Sequence, residues 1–352
     1  MDYKKEIDDL VNLILKEGAS DLHLSVGRTP VIRVSGNLIP LVRKTVISPA
    51  DMKGYLSVFL SPANAEILER ERNVDFSYSL THARFRGNAY FHGGMNAIAL
   101  RLIPRAIRTL NELNLPSILE SFTRKSQGFF VVVGPIGQGK TTTLATLIDL
   151  INETRTEHIL TIEDPIEYLF ESKKSIIDQR EVRIDTPDFN NALVAMFRED
   201  IDVCMVGEMR DNNTISTAVT AAETGHLIMS TLHTNNAAQT IDRIIDSFPP
   251  NQQDQIRVQL AGSLTGIFSQ RLIPRISGGL IPAYELLINN NAVSNLIRER
   301  RTHELNTVIE TSSQEGMIDM NRSLAELVRA GEITVESAYL NSLNPKTLER
   351  MI

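Results

Sequence analysis

Between Phe129 and Thr143 the chain reads FFVVVGPIGQGKTTT, a stretch that leaves few folds open. Phe129 to Val133 is an unbroken apolar run of strand length. It leads into Gly134, Pro135, Ile136, Gly137, Gln138, Gly139, Lys140 and Thr141, which match the spacing G-x-x-x-x-G-K-[ST]. Thr142 to Asn152 then sets Leu144, Leu147, Ile148 and Ile151 at helical intervals. Buried strand, glycine turn and helix in that order predict a phosphate-binding loop over 134–142. Glycines let backbone N–H groups turn inward around phosphate oxygens, Lys140 adds a cation, and the Thr141 hydroxyl suits Mg²⁺. The bare pattern also arises by chance in ordinary loops, but the strand before it and the helix after it weigh against that.

Strand and helix continue to alternate downstream. Apolar runs at Ile159–Ile162, Val203–Val206 and Leu227–Leu232 are separated by helical stretches near 188–199 and 212–224, which predicts a mostly parallel sheet with helices on its faces. Ligands of such sheets bind at the carboxyl ends of the strands. The first run ends in Glu163-Asp164, the second in Gly207-Glu208, the third in His233-Thr234-Asn235. Each brings a polar or ionisable side chain to the edge that holds Lys140 and Thr141, as hydrolysis of a nucleotide with a metal and a water requires. Singly, these residues have plainer uses: Asp211 and Asp164 are placed to cap helices, and a lone histidine such as His233 is more often a satisfied core residue. Their coincidence beside the loop favours a site.

Upstream, MDYKKEIDDLVNLILKEG is an amphipathic helix, followed by a half-buried strand at Ser20–Ser25 that turns Asp21, His23 and Ser25 to the polar face. A hairpin through Ser35-Gly36-Asn37, helices within Pro49–Arg72, and strands at Val74–Leu80, Arg84–Phe91 and Ala97–Ile103 complete a small α+β domain. Alternation sends Arg84, Arg86 and Asn88 to one face, and a turn at His92-Gly93-Gly94 would bring Arg101 beside them. Such arginines suit either a solvated face or an anion-binding one. After the phosphate loop and its strands, helices are expected at Thr240–Phe248 and Asn251–Gln270, a strand at Gly279–Leu287, and then a mainly helical end.

The 352 residues suffice for two domains, and 42% apolar composition can fill a core in each. A net charge of −7 lacks the basic character of many nucleic-acid binders, so no nucleic acid is expected. The single Cys204 permits neither an intrachain disulfide nor a four-cysteine zinc site, and fits a reducing, cytoplasmic setting. Neither a signal peptide nor a membrane span is expected.

Taken together, SDLHLSVG, RFRGNAYF, the phosphate loop, HILTIEDPIEYLF, REDIDVCMVGEMRD, TGHLIMSTLHTNNA, LIRERRTHEL and SLAELVRAGEIT cover nearly the whole chain in order. In these motifs the chain resembles the type IV pilus retraction ATPases, the PilT branch of the secretion ATPase superfamily. The resemblance implies an α/β fold: a PAS-like α+β domain over 1–103, a linker over 104–117, a RecA-like P-loop NTPase core over 118–288 and a helical region over 289–352. It implies ATP and Mg²⁺ as cofactors, Thr141 and Glu208 as metal ligands, Glu163 as the residue that orients or deprotonates water, and His233 as a γ-phosphate contact. His226 would lie nearby in support. Arg86 and Arg101 would be arginine fingers, with Arg84 a weaker candidate. The assembly implied is a homohexameric ring, peripheral to the inner membrane, that acts on an inner-membrane pilus platform protein.

Some positions depart from that pattern. Gln138 stands where Ser or Ala is usual and Thr141 where Ser is frequent. Val194, Ile201 and Arg108 replace a basic residue and two prolines, and Ser294 takes the place of an arginine in a motif tied to retraction. A pilus extension or type II secretion ATPase, and a non-hydrolysing nucleotide-dependent accessory protein, therefore remain as alternatives.

Overall fold

The computed structural model describes residues 2–34, 36–80, 83–103 and 106–352. Ser35 of the expected hairpin turn, and Pro104 and Arg105 of the expected linker, lie outside the described residues. The chain divides into two compact units: Met1–Ala106 with Pro165–Leu169, and Ile107–Asp164 with Phe170–Ile352.

In the first unit α1 (Tyr3–Glu17) buries Ile7, Leu10, Val11 and Ile14, one stripe at helical spacing. The Asp2 side chain accepts from the Lys5 N–H to cap its start, and Gly18 at φ 62° ends it. Strands β1 (Asp21–Ser25), β2 (Val31–Val34), β3 (Asn37–Pro40), β4 (Asn73–Leu80), β5 (Ala83–His92) and β6 (Met95–Ile103) form one sheet in the order β3-β2-β1-β6-β5-β4. Every pairing in it is antiparallel. Between β3 and β4 lie α2 (Pro49–Phe59) and α3 (Pro62–Glu71), started by Ser48 and Ser61 with proline in the first turn. Along β5, Ala83, Phe85, Gly87 and Ala89 are buried while Arg84, Arg86 and Asn88 stay half-exposed, the alternation expected. Gly87 is needed there, because a Cβ would meet the Phe76 ring at 2.3 Å.

The second unit contains α4 (Glu120–Thr123), β7 (Gly128–Val133), α5 (Lys140–Thr154), β8 (His158–Glu163), β9 (Ile176–Glu181), α6 (Phe189–Met196), β10 (Val203–Val206), α7 (Asn212–Glu223), β11 (Leu227–Leu232), α8 (Ala237–Asp246), α9 (Gln253–Ser263), β12 (Leu264–Pro274) and β13 (Leu280–Ile288). Helices α10 (Asn291–Arg298), α11 (Leu305–Thr311), α12 (Met320–Arg329), α13 (Val335–Asn341) and α14 (Pro345–Glu349) complete it. The sheet runs β13-β12-β7-β11-β10-β8-β9, parallel throughout except for β13 against β12. Helices on both faces explain why β7, β10 and β11 are buried at every residue. Phe129, Val131 and Val133 pack into one cluster with α6 to α9, whereas Phe130 and Val132 pack into another with Leu144, Leu147 and Ile148 of α5. Because the strands are parallel, β7, β8, β10 and β11 all deliver their C-terminal residues to one edge.

Two stretches differ from expectation. The helix expected over Asn251–Gln270 stops at Ser263, and Leu264 begins β12. Leu264, Ile267 and Phe268 suit either periodicity; pairing with β7 and β13 selects the strand, and Gly266 admits it where a Cβ would lie 2.6 Å from Phe122 and 2.8 Å from the Leu287 carbonyl. Strand β9, IIDQRE, is a polar edge strand with no hydrophobic alternation to betray it.

Glu285 on β13 ties this framework to the site edge: it is 5% exposed and accepts the Ala237 N–H at the start of α8, 2.8 Å away. Burial pushes its carboxyl up to about 7, against the opposing pull of the Ala237 N–H. The folded chain therefore holds a proton that the unfolded chain has released, and stability falls as pH rises between about 4.5 and about 7. Glu285→Gln keeps the acceptor and removes the titration. Its stability relative to the parent should rise through that window by on the order of 3 kcal/mol, read by denaturant unfolding at about pH 5 and about pH 8. A difference independent of pH would exclude the buried titration.

Candidate functional site

The loop after β7 turns on three glycines with positive φ: Gly134 at 145°, Gly137 at 76° and Gly139 at 79°. At Gly134 the requirement is also steric, since a Cβ would lie 2.4 Å from the Gln270 carbonyl oxygen on neighbouring β12. Lys140 opens α5 and is 7% exposed; its Nζ donates to the carbonyls of Gly134 at 2.9 Å and Pro135 at 2.8 Å. Backbone N–H groups of the helix start and this ammonium make the loop an anion cradle.

A second strand fixes the loop. Gln138 Oε1 accepts the Leu272 N–H at 2.6 Å, while Gln270 Nε2 donates to the Gln138 carbonyl at 2.8 Å. Gln270, 3% exposed, also accepts from the Thr143 hydroxyl at 2.7 Å. Loop, α5 and β12 thus share one hydrogen-bonded clamp. Gln270 and Thr143 escaped the sequence reading because Gln270 fell in a stretch with helical spacing. The signal available was a polar Ser269-Gln270 pair inside an apolar run.

The strand ends bring the remaining groups. Glu163, the last residue of β8, is 2% exposed, and its Oε1 accepts from the Thr161 hydroxyl at 2.7 Å and from Gln179 Nε2 at 3.3 Å. Glu208, two residues beyond β10, pairs with Arg210 and lies 3.7 Å from His233 Nε2. His233 follows β11 and its Nδ1 accepts from Lys140 Nζ at 3.2 Å, which puts the ring proton on Nε2, facing Glu208. Burial, and then the Lys140 charge, hold the His233 pKa below the usual histidine value against the pull of Glu208, so the ring is neutral at pH 7. Lys140, Glu208 and His233 are therefore in one network at the edge that Glu163 also reaches.

Thr141 and Glu208 offer a hydroxyl and a carboxylate, hard oxygen donors of the kind Mg²⁺ takes along with waters and phosphate oxygens. Among the described residues no three His, Cys, Asp or Glu side chains converge as a metal cage. The donor set fits a metal that arrives with its nucleotide.

His226 does not join this site. It precedes β11, its Nδ1 sits 3.1 Å from the Ala221 carbonyl and its ring packs edge-on against Phe197. The whole of β11, roughly 20 Å of extended chain, separates it from His233. The resemblance implied that His226 would lie near His233, but a strand carries its two ends to opposite edges of the sheet. Asp211 does cap α7, accepting the Thr214 N–H at 2.9 Å, but Asp164 caps no helix and pairs with Arg183 at 3.3 Å.

The first unit carries the arginines. Arg86 on β5 is directly opposite Arg101 on β6, as the expected hairpin requires. Arg86 Nη1 lies 3.3 Å from Glu167 Oε1, in the segment that groups with this unit. Arg101 Nε lies 2.9 Å from Asp21 Oδ1. Arg84 Nη1 donates to the Ser79 hydroxyl at 3.2 Å. Asp21, expected on a solvated face, is only 7% exposed because arginines cover it.

Comparison with known proteins agrees with this arrangement. Residues 3–280 match the Type II/IV secretion system protein family. The chain is 44% identical to a twitching motility protein of Neisseria gonorrhoeae over 91% of this chain and 86% of that one. It is 42% identical to the type IV pilus retraction ATPase PilT of Pseudomonas aeruginosa, over 95% and 97%. A crystal structure of the pilus retraction motor PilT with bound ADP superposes with a TM-score of 0.91 at 44% identity, covering 97% of this chain and 98% of that one.

The clamp yields a direct test. Gln138→Ala leaves the Leu272 N–H without its 2.6 Å partner and loosens the loop. ADP binding, measured by titration calorimetry, should weaken about tenfold, the size of one lost structural hydrogen bond. Unchanged affinity would make Gln138 incidental to the cradle.

Proposed function

Because the chain belongs to the Type II/IV secretion system protein family, in its twitching-motility and pilus-retraction branch, we propose that it is an ATP-hydrolysing motor of type IV pilus retraction. The observation that carries this reading is the network of Lys140, His233 and Glu208 at the strand-end edge that also receives buried Glu163.

The reaction is hydrolysis of ATP to ADP and phosphate. Lys140 exchanges its bonds to the Gly134 and Pro135 carbonyls for phosphate oxygens, and the loop amides close around the diphosphate. Glu163, held by Thr161 and Gln179, orients the attacking water and takes its proton. Neutral His233 directs its Nε2–H as a hydrogen bond to a γ-phosphate oxygen and keeps the proton. Arg86 and Arg101 carry the finger role, meeting negative charge on the transferred group. Thr141 and Glu208 would hold Mg²⁺, which when bound neutralises charge on the phosphate oxygens. The working assembly is a homohexameric ring at the cytoplasmic face of the inner membrane, where it turns a pilus platform protein. No helix among the described residues is long and apolar enough to cross a membrane, which suits a peripheral motor.

One observation favours a second reading. The Ser294 hydroxyl donates to the Ala261 carbonyl at 2.9 Å and lies 3.0 Å from Asn289 Oδ1, a structural role in place of an arginine tied to retraction. The same ATPase could then drive extension. A strain lacking the gene separates the two: retraction predicts piliated, non-twitching cells, and extension predicts bare ones.

At the level of chemistry, Glu163→Gln should bind ATP with parental affinity while phosphate release falls by about 10² to 10⁴. Parental turnover would remove Glu163 from the water's side. Arg86→Ala and Arg101→Ala should each depress turnover by about 10³ while ADP affinity stays within about twofold. Equal loss of ADP binding would assign them to the diphosphate.

A further inference from the structure

We propose that Asp21 is the positioning residue of Arg101: it grips the guanidinium at Nε and leaves the forked end free to take a phosphate oxygen. This rests on the reading of Arg101 as a phosphate contact. Arg86 pairs across the sheet with Arg101, Arg101 with Asp21, and Asp21 with Arg33, so one row on one face carries three guanidinium groups and a single carboxylate. Like charges directly opposite each other, as Arg86 and Arg101 are, work against the sheet. A merely solvated face would set an acid between them; here the acid stands beyond Arg101.

The Asp21–Arg101 pair is also asymmetric. In an ordinary surface ion pair both partners are mobile and exposed, and little is gained. Here the Asp21 side chain is 10% exposed and the Arg101 side chain 73%. The carboxylate is fixed from three directions: Ser20 Oγ donates to Oδ2 at 2.7 Å, Arg33 Nε lies 3.8 Å from the same oxygen, and Arg101 Nε donates to Oδ1 at 2.9 Å. Burial opposes its charge, but the bonds from Ser20 and Arg101 outweigh this and hold its carboxyl below the usual value. It is a charged, immobile anchor at pH 7.

Asp21 holds one particular nitrogen of Arg101. An arginine has one donor on Nε and four on the terminal nitrogens, and the terminal fork makes the bidentate contact with phosphate. Asp21 engages Nε, so Arg101 can meet an anion without leaving its support. Arg86 is the contrast, since Glu167 holds it by Nη1, an atom of the fork itself. A contact through both terminal nitrogens would cost Arg86 that bond; it costs Arg101 nothing.

The full-length protein tests this through steady-state ATP hydrolysis. Asp21→Ala should lower kcat about tenfold while KM for ATP stays within about twofold, because a loosened guanidinium weakens transition-state contact and spares ground-state binding. Asp21→Asn, whose side-chain oxygen still accepts from Nε, should recover kcat to within about threefold of the parent. In an Arg101→Ala background, Asp21→Ala should change kcat by less than about twofold, because a residue that acts through Arg101 has nothing left to position. Should alanine fail to fold, Asp21→Ser, which keeps a polar atom beside Ser20 but cannot reach Nε, supplies the same comparison. Equal losses in both backgrounds overturn the proposal alone. Undiminished turnover in Arg101→Ala overturns the finger assignment, and the proposal with it.

Discussion

Strand β7 lies between β11 and β12, in parallel register with both, and all six of its residues are buried. That register decides where the phosphate loop begins. Gly134 leaves the strand against the Gln270 carbonyl, at a distance only glycine tolerates, and Gln270 then reaches around to bond the loop and α5. The same parallel run sets the ends of β8, β10 and β11 on the loop's edge, so burial of apolar strands and assembly of polar groups are one event. Lys140 is buried as an ammonium with two carbonyls and His233 accepting its hydrogen bonds. Burial and that neighbouring charge in turn keep His233 neutral.

The first unit solves a different electrostatic problem. A sheet with one covered face has an outward face that is usually polar and mixed in charge. This one concentrates arginines in a single cross-strand row and gives them one buried acid. Such a row has little value for stability, since exposed pairs contribute weakly and Arg86 opposes Arg101. It suits the anion contact proposed for Arg86 and Arg101. In the second unit the lysine is satisfied by its own loop, whereas here the guanidinium fork of Arg101 points to solvent.

Much of this was legible from residues alone, where local pattern and global packing agree. The run FFVVV, the loop spacing and the α5 periodicity each demand one structure. The strand ends Glu163, Glu208 and His233 followed from short apolar runs breaking into polar residues. Where patterns were ambiguous, tertiary pairing made the choice. Leu264, Ile267 and Phe268 fit a helix or a strand, and only β7 and β13 on either side select the strand. Strand β9 exists because β8 offers it an edge, not because IIDQRE alternates. His226 and His233 look like neighbours in sequence, yet β11 places them at opposite edges.

The sequence by itself determined the phosphate loop, the strand-and-helix alternation around it, and the residue types at each strand end, because these are local or periodic properties. Family membership was equally present in the ordered motifs. Only the tertiary structure decided that Gln138 and Gln270 clamp the loop, that His226 stands apart, and that Asp21 is buried beneath Arg33 and Arg101. Those outcomes depend on register between strands distant in the chain. A shift of one residue in any pairing would leave the composition unchanged and send each side chain to the other face.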